Sequence, residues 1–167
     1  MIREPSGPDR TPTTMKTLEL LRHAPRDPDA DRLSAAGRAR AEDVGRSRSG
    51  GAYVAVFVSS AQRAAETAAW FLRGAHLPLP EHAVVPGLSG QGPGGGSPEA
   101  MATLVRSLLD RMPEGRGLAI SHTPFVERAA LGLTGEEVEP MRECEGILVA
   151  ADDEGGITVT ELRLSFD

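Results

Sequence analysis

Aromatic residues make up only 4% of this 167-residue chain, so its core has to be assembled from Leu, Val, Ile and Ala. A single cysteine, Cys144, excludes an intrachain disulfide and points to a reducing compartment, the cytoplasm. It lies between Glu143 and Glu145, an acidic setting that disfavours a reactive thiolate. The four histidines show no HxxxH spacing and no CxxC occurs, so zinc is not expected. No apolar run approaches the roughly 20 residues that a membrane helix needs. Long basic runs are also missing and the net charge is -6, which makes nucleic acid or an anionic membrane an unexpected main partner. An anionic substrate stays compatible, because the charge of a pocket need not follow the net charge. No coiled-coil pattern or apolar stripe points to an oligomer, and the oligomeric state is left open.

What is present suits one folded domain. Hydrophobic residues are 40% and charged residues 25%, both ordinary for a globular chain. The first fourteen residues are polar, carry Pro5, Pro8 and Pro12, and lack the apolar segment of a signal peptide. They are read as a disordered leader over 1–15, ahead of a single domain over 16–167. Strands are expected over 17–21, 53–58, 83–85 and 117–121, with a closing hairpin of 146–151 and 157–164. Helices are expected over 35–48, capped by Ser34, and over 62–73, where Ser59 and Gln62 have capping-box spacing. Further helices are expected from Pro98 to about 112 and over 125–132, the last opened by Thr123 as N-cap with Pro124 behind it. Between the third strand and Pro98 runs a glycine-rich loop over 87–96. This alternation predicts an α/β fold with a mainly parallel sheet.

In such sheets ligands bind beyond the carboxyl ends of the strands. Arg22-His23, Arg63 and His122-Thr123 each lie just past an expected strand end. Two arginines can grip phosphate oxygens by paired hydrogen bonds. The helix starts beside Arg63 and Thr123 offer free N–H groups to an anion. Two nearby cations keep the His23 ring neutral and nucleophilic near neutral pH. His122 and the arginines then stabilise charge on a phosphoryl group in transfer. Taken singly, each residue has a plainer reading: Arg22-His23 as a polar turn, Arg63 as a solvated helix residue, His122 as a satisfied core histidine. All of them together, each after a strand, favour the phosphate pocket.

These segments, Leu21-Arg22-His23-Ala24, Leu33-Ser34-Ala35-Ala36-Gly37, Ser59-Ser60-Ala61-Gln62-Arg63-Ala64-Ala65-Glu66-Thr67-Ala68 and Ile120-Ser121-His122-Thr123-Pro124, resemble in order the motifs of the histidine phosphatase superfamily. The resemblance covers about 16–164. It implies a phosphoglycerate mutase-like, three-layer α/β domain and a phosphatase that carries the phosphoryl group on His23. It further implies that Arg22, Arg63 and His122 complete a pocket that works without a metal or other cofactor. Two departures matter. Ala24 stands where most members have glycine after the catalytic histidine, as in the short branch resembling SixA, the phosphohistidine phosphatase. The stretch Pro86-Gly87-Leu88-Ser89-Gly90-Gln91 lacks the glutamate that many ester-cleaving members use as general acid. An alkoxide leaving group needs that proton, whereas a protonated imidazole does not. Glu99 and the Asp27-Asp29-Asp31 loop are substitute acids to weigh against plainer roles. Glu99 suits a helix first turn for dipole reasons, and the aspartates suit a solvated turn.

Three functions follow. The leading one is a SixA-like phosphatase acting on a phosphohistidine protein. The second is a phosphatase for a small phosphorylated compound, an ester or anhydride, with an unusual general acid such as Glu99. The third is a non-catalytic phosphate- or phosphoprotein-binding module that keeps the pocket.

Overall fold

The β-branched and leucine-rich runs form one six-stranded sheet in a computed structural model that describes residues 15–78 and 81–165. The leader expected over 1–15 lies, but for Met15, outside the described residues. The strands are β1 (Lys16–Arg22), β2 (Tyr53–Val58), β3 (Ala83–Val84), β4 (Gly115–Ser121), β5 (Gly146–Ala151) and β6 (Ile157–Leu162). The helices are α1 (Ala35–Arg46), α2 (Gln62–Gly74), α3 (Pro98–Arg111) and α4 (Phe125–Thr134). Sheet order is β3-β2-β4-β1-β5-β6. Strands β3, β2, β4 and β1 run parallel, and β5 lies antiparallel to both β1 and β6. Strand β4 begins two residues before its expected start, because Gly115 and Arg116 still pair with Lys16 and Thr17.

Alternation along the strands fills both faces. Leu18, Leu20, Phe57 and Ala119 pack with Met101, Val105 and Leu108 of α3 and Val126 and Ala129 of α4. Leu21, Val56, Val58, Leu118 and Ile120 pack with Ala41 and Val44 of α1 and Ala64, Ala68 and Phe71 of α2. Three layers result, with the sheet in the middle, as expected. Helices α1 and α2 cross backbone against backbone at Gly45 and Gly74. A Cβ on Gly45 would overlap the Phe71 carbonyl, and one on Gly74 the Glu42 carbonyl.

Helix starts differ from expectation in two places. Ser34 caps α1 as expected, its hydroxyl accepting from the Gly37 N–H at 3.0 Å. The capping box at Ser59 and Gln62 does not form. The N-cap of α2 is Ala61, which supplies no side-chain bond. The carboxylate of Asp31, from the loop before α1, accepts instead from the Gln62 N–H at 2.8 Å and the Arg63 N–H at 3.1 Å. Thr123 does not cap α4 either. Pro124 holds the N-cap position, and the first free N–H groups, of Phe125 and Val126, are taken by the His122 carbonyl at 2.9 and 3.1 Å. With those donors satisfied by backbone, the Thr123 hydroxyl turns to donate to Glu127.

Candidate active site

Strand register brings the two histidines together. Arg22 pairs with Ser121 across β1 and β4, so the next residues, His23 and His122, leave the sheet side by side. The His23 N–H donates to the Ser121 carbonyl at 3.0 Å. Val58 pairs with Ile120 on the other side of β4, which delivers Ser59 and the start of α2 to the same rim. The rings of His23 and His122 lie 5.1 Å apart at an interplanar angle of 61°, and both residues are 7% exposed.

Hydrogen bonds assign each ring its tautomer. His23 Nδ1 lies 2.7 Å from the Ala24 carbonyl, an acceptor, so Nδ1 carries the proton and Nε2 has the free lone pair. That lone pair faces Arg63 Nε at 3.4 Å. His122 Nε2 donates to the Ser59 hydroxyl at 2.7 Å, which leaves Nδ1 to accept from Arg63 Nη2 at 3.4 Å. The third corner of the Arg63 guanidinium, Nη1, donates to Asp31 at 2.9 Å. Thr67, one turn along α2, donates to the Arg63 carbonyl at 2.8 Å and accepts from the Ala24 N–H at 3.0 Å. Ala24 is fully buried. The α2 start and the His23 turn are thereby tied to one another.

Arg22 is held by the 139–145 segment that leads into β5. Its Nη1 donates to the Met141 carbonyl at 2.8 Å, and its Nη2 lies 3.5 Å from Glu143. Its Nε is buried with no hydrogen-bond partner. Glu127 fixes this segment from α4 by accepting from the Met141 N–H at 2.8 Å. Glu145, 1% exposed, accepts from Arg142 N–H, Arg163 and Leu164 N–H.

Burial, chiefly, together with the Arg63 and Arg22 charges, lowers the pKa of His23, against the opposing bond to Ala24. Burial first, then the His23 and Arg63 charges, lowers that of His122 from 6.5 to about 4, with Asp31 pulling the other way. Both rings are therefore neutral near pH 7. A histidine with a depressed folded-state pKa contributes stability that is complete above its unfolded value and lost as pH falls toward the folded one. Thermal melts should show Tm falling as pH drops from about 6.5 toward about 5, ahead of the carboxylate range. His122→Asn should flatten that slope, and an unchanged slope would refute the assignment.

Arg22, His23, Arg63 and His122 thus converge on one rim, and Thr123 follows at its edge. Glu99 does not join them. It is exposed in the first turn of α3, on the wall of a separate hollow against the glycine-rich loop that none of the four lines. Of the aspartates, Asp27 fits the turn reading, accepting from the Asp29 N–H and Arg32, whereas Asp31 reaches the site. Asp31, weighed with its loop as a substitute acid, instead braces Arg63. Ser59, Thr67 and Glu143 are site residues that sequence reasoning missed: Ser59 and Thr67 lie inside the quoted motif, but Glu143 carries no local signal. Among the described residues, no three of His, Cys, Asp and Glu gather as a metal site would require, and no helix is long and apolar enough to cross a membrane.

No protein-family model matches the chain, and no curated protein sequence does. Solved structures do resemble it. The protein histidine phosphatase SixA complexed with tungstate superposes with a TM-score of 0.69 at 21% identity, covering 88% of this chain and 96% of that one. Phosphoserine phosphatase from Entamoeba histolytica, in complex with 3-phosphoglyceric acid, gives 0.66 at 15% identity, covering 90% and 98%. Phosphoglycerate mutase from Bacillus anthracis str. Sterne gives 0.66 at 12%, covering 90% and 93%. With TM-scores of 0.66 to 0.69 and coverage of nearly the whole of both chains, this protein has the phosphoglycerate mutase-like fold of those structures.

Proposed function

We propose that the protein is a metal-independent phosphatase that carries the phosphoryl group on His23, and that its substrate is a phosphohistidine protein. The observation that carries this reading is the tautomer of His23. With Nδ1–H held by the Ala24 carbonyl, Nε2 is unprotonated and accepts a long 3.4 Å hydrogen bond from Arg63 Nε, a donor that an incoming phosphoryl oxygen can take over as Nε2 attacks phosphorus. In the first step that lone pair forms the P–N bond as the bond to the leaving group breaks. A leaving imidazole protonated on its other nitrogen departs as a neutral ring. Arg22 and Arg63 take the non-bridging oxygens, and the incoming dianion favours protonation of His122, whose Nδ1–H then donates to a third. In the second step water attacks phosphorus, the P–Nε2 electrons return to His23, and phosphate leaves.

The substrate class follows from the stretch between β3 and α3. The connection from β3 to α3 contributes the turn Pro86–Ser89 and glycines, without a carboxylate to protonate an alkoxide. Substrates whose leaving group needs no proton are favoured, and phosphohistidine, named for the putative phosphohistidine phosphatase SixA from Agrobacterium tumefaciens, is of that kind. A small-metabolite phosphatase is the second reading, since the phosphoserine phosphatase shares the fold. Purified protein should release phosphate faster from a phosphohistidine protein than from aryl or alkyl phosphomonoesters, compared by kcat/KM. Faster release from an ester would move the assignment to a metabolite, and phosphate-dependent thermal stabilisation without turnover of any of them would leave only a binding module.

A further inference from the structure

We infer that Glu143 is the general base of the hydrolytic step, orienting and deprotonating the water that attacks phospho-His23. The inference rests on the phosphatase reading above. Its ground is the path of the 139–145 segment. Backbone bonds clamp this segment to Arg22 on both sides of Glu143. The Met141 carbonyl takes Arg22 Nη1, the Cys144 N–H donates to the Arg22 carbonyl at 3.0 Å, and the Glu145 carbonyl accepts from the Arg22 N–H at 2.8 Å. Cys144, 1% exposed, has a φ of 67°, a left-handed conformation that a non-glycine residue adopts at a cost and that gathers at functional sites. That kink buries the Cys144 side chain and leaves the Glu143 side chain 36% exposed, its carboxylate beside the Arg22 guanidinium. It is therefore next to the pocket and open to water.

The other carboxylates nearby are committed. Asp31 has one oxygen on the Gln62 N–H and the other on the Arg63 N–H and Nη1. Glu127 is tied to Thr123 and the Met141 N–H by one oxygen, and its other oxygen, which has no hydrogen-bond partner, is buried away from water. Both oxygens of Glu145 are bonded inside the fold. Glu143 has Arg22 beside it and acts electrostatically on His23, against the pull of the two arginines. A carboxylate open to water is an acceptor of the kind a general base requires.

Water oxygen forms a bond to phosphorus on the side away from Nε2, and one water proton passes to the Glu143 carboxylate. The P–Nε2 bond breaks, and its electrons restore the neutral His23 ring with the proton still on Nδ1. Phosphate leaves, and Glu143 returns its proton to solvent. The same carboxylate has no part in the first step for an imidazole leaving group, so its loss should separate the two steps.

The test uses radiolabelled phosphoramidate, a small donor with a P–N bond, and follows both phosphate release and acid-labile label on the full-length chain. In Glu143→Gln the first turnover should persist while steady-state release falls about 10²-fold or more, with phosphoenzyme rising toward one label per chain. Glu143→Asp should recover part of the release rate. A phosphoenzyme with the same half-life in wild type and Glu143→Gln overturns the inference and leaves the phosphatase reading intact. So does a fall in release without accumulation in a variant whose Tm and phosphate affinity match wild type. If wild type itself shows neither label nor release that depends on His23, both fail.

Discussion

Alanine at position 23 is expected to lower kcat by at least about 10⁴-fold on any substrate the wild type turns over, and to abolish the acid-labile phosphoenzyme. The size of the effect comes from what His23 supplies. Its Nε2 is unprotonated, bonded to the protein only by the long contact from Arg63 Nε, and its opposite nitrogen is already fixed as a donor to the Ala24 carbonyl. Without it, phosphorus has to be attacked by water directly, and the step divided in two by the covalent intermediate becomes one harder step. Arg22, Arg63 and His122 would still bind the anion, so phosphate should continue to raise Tm in the variant. That combination, binding kept and turnover lost, is the signature sought by steady-state assays alongside melts. Turnover within tenfold of wild type would reject His23 as nucleophile.

Removal of Arg63 should be nearly as damaging, and it should also move the pH profile. One guanidinium faces His23 Nε2, His122 Nδ1 and Asp31 from three corners. Arg63→Ala should reduce kcat/KM by about 10³-fold, as expected when a preorganised charge aimed at transferring oxygens is lost. Arg63→Lys should recover only part of this, because an ammonium is a point charge that cannot meet three partners in a plane. The sign of the pH effect follows from the electrostatics. Arg63 lowers the pKa of both histidines, so its loss lets both rise toward the ordinary 6.5. Protonation then silences His23 at a higher pH, and the acid limb of kcat/KM shifts upward. Profiles of wild type and Arg63→Ala with the same limb would show that the Arg63 charge does not tune these rings.

How far the sequence could be read depended on whether a feature was local. The expected strands over 17–21, 53–58 and 117–121 fall within β1, β2 and β4, because alternating β-branched and leucine runs suit a sheet buried on both faces. The position of Arg22, His23, Arg63 and His122 on one rim was legible for the same reason, since parallel strands end on a common edge. Helix starts were less so. The spacing of Ser59 and Gln62 matched a cap, but the Ser59 hydroxyl is engaged by His122, and Asp31 fills the cap from another loop. Thr123 had the right type for a cap, yet the His122 carbonyl already satisfied the donors it would have met.

By itself, then, the sequence determined the α/β alternation, the strand ends and the four residues those ends carry, all of which are set by local pattern and chain direction. Only the tertiary structure decided that β4 lies between β1 and β2, which is what makes His23 and His122 neighbours. It also decided which carboxylates serve the pocket. Glu99, weighed as a substitute acid against a plain first-turn role, stands on another hollow, whereas Asp31 and Glu143 come from distant segments to brace Arg63 and Arg22. The physical reason is that a long side chain's partner is chosen by packing between elements, and no spacing along the chain encodes which two loops will meet.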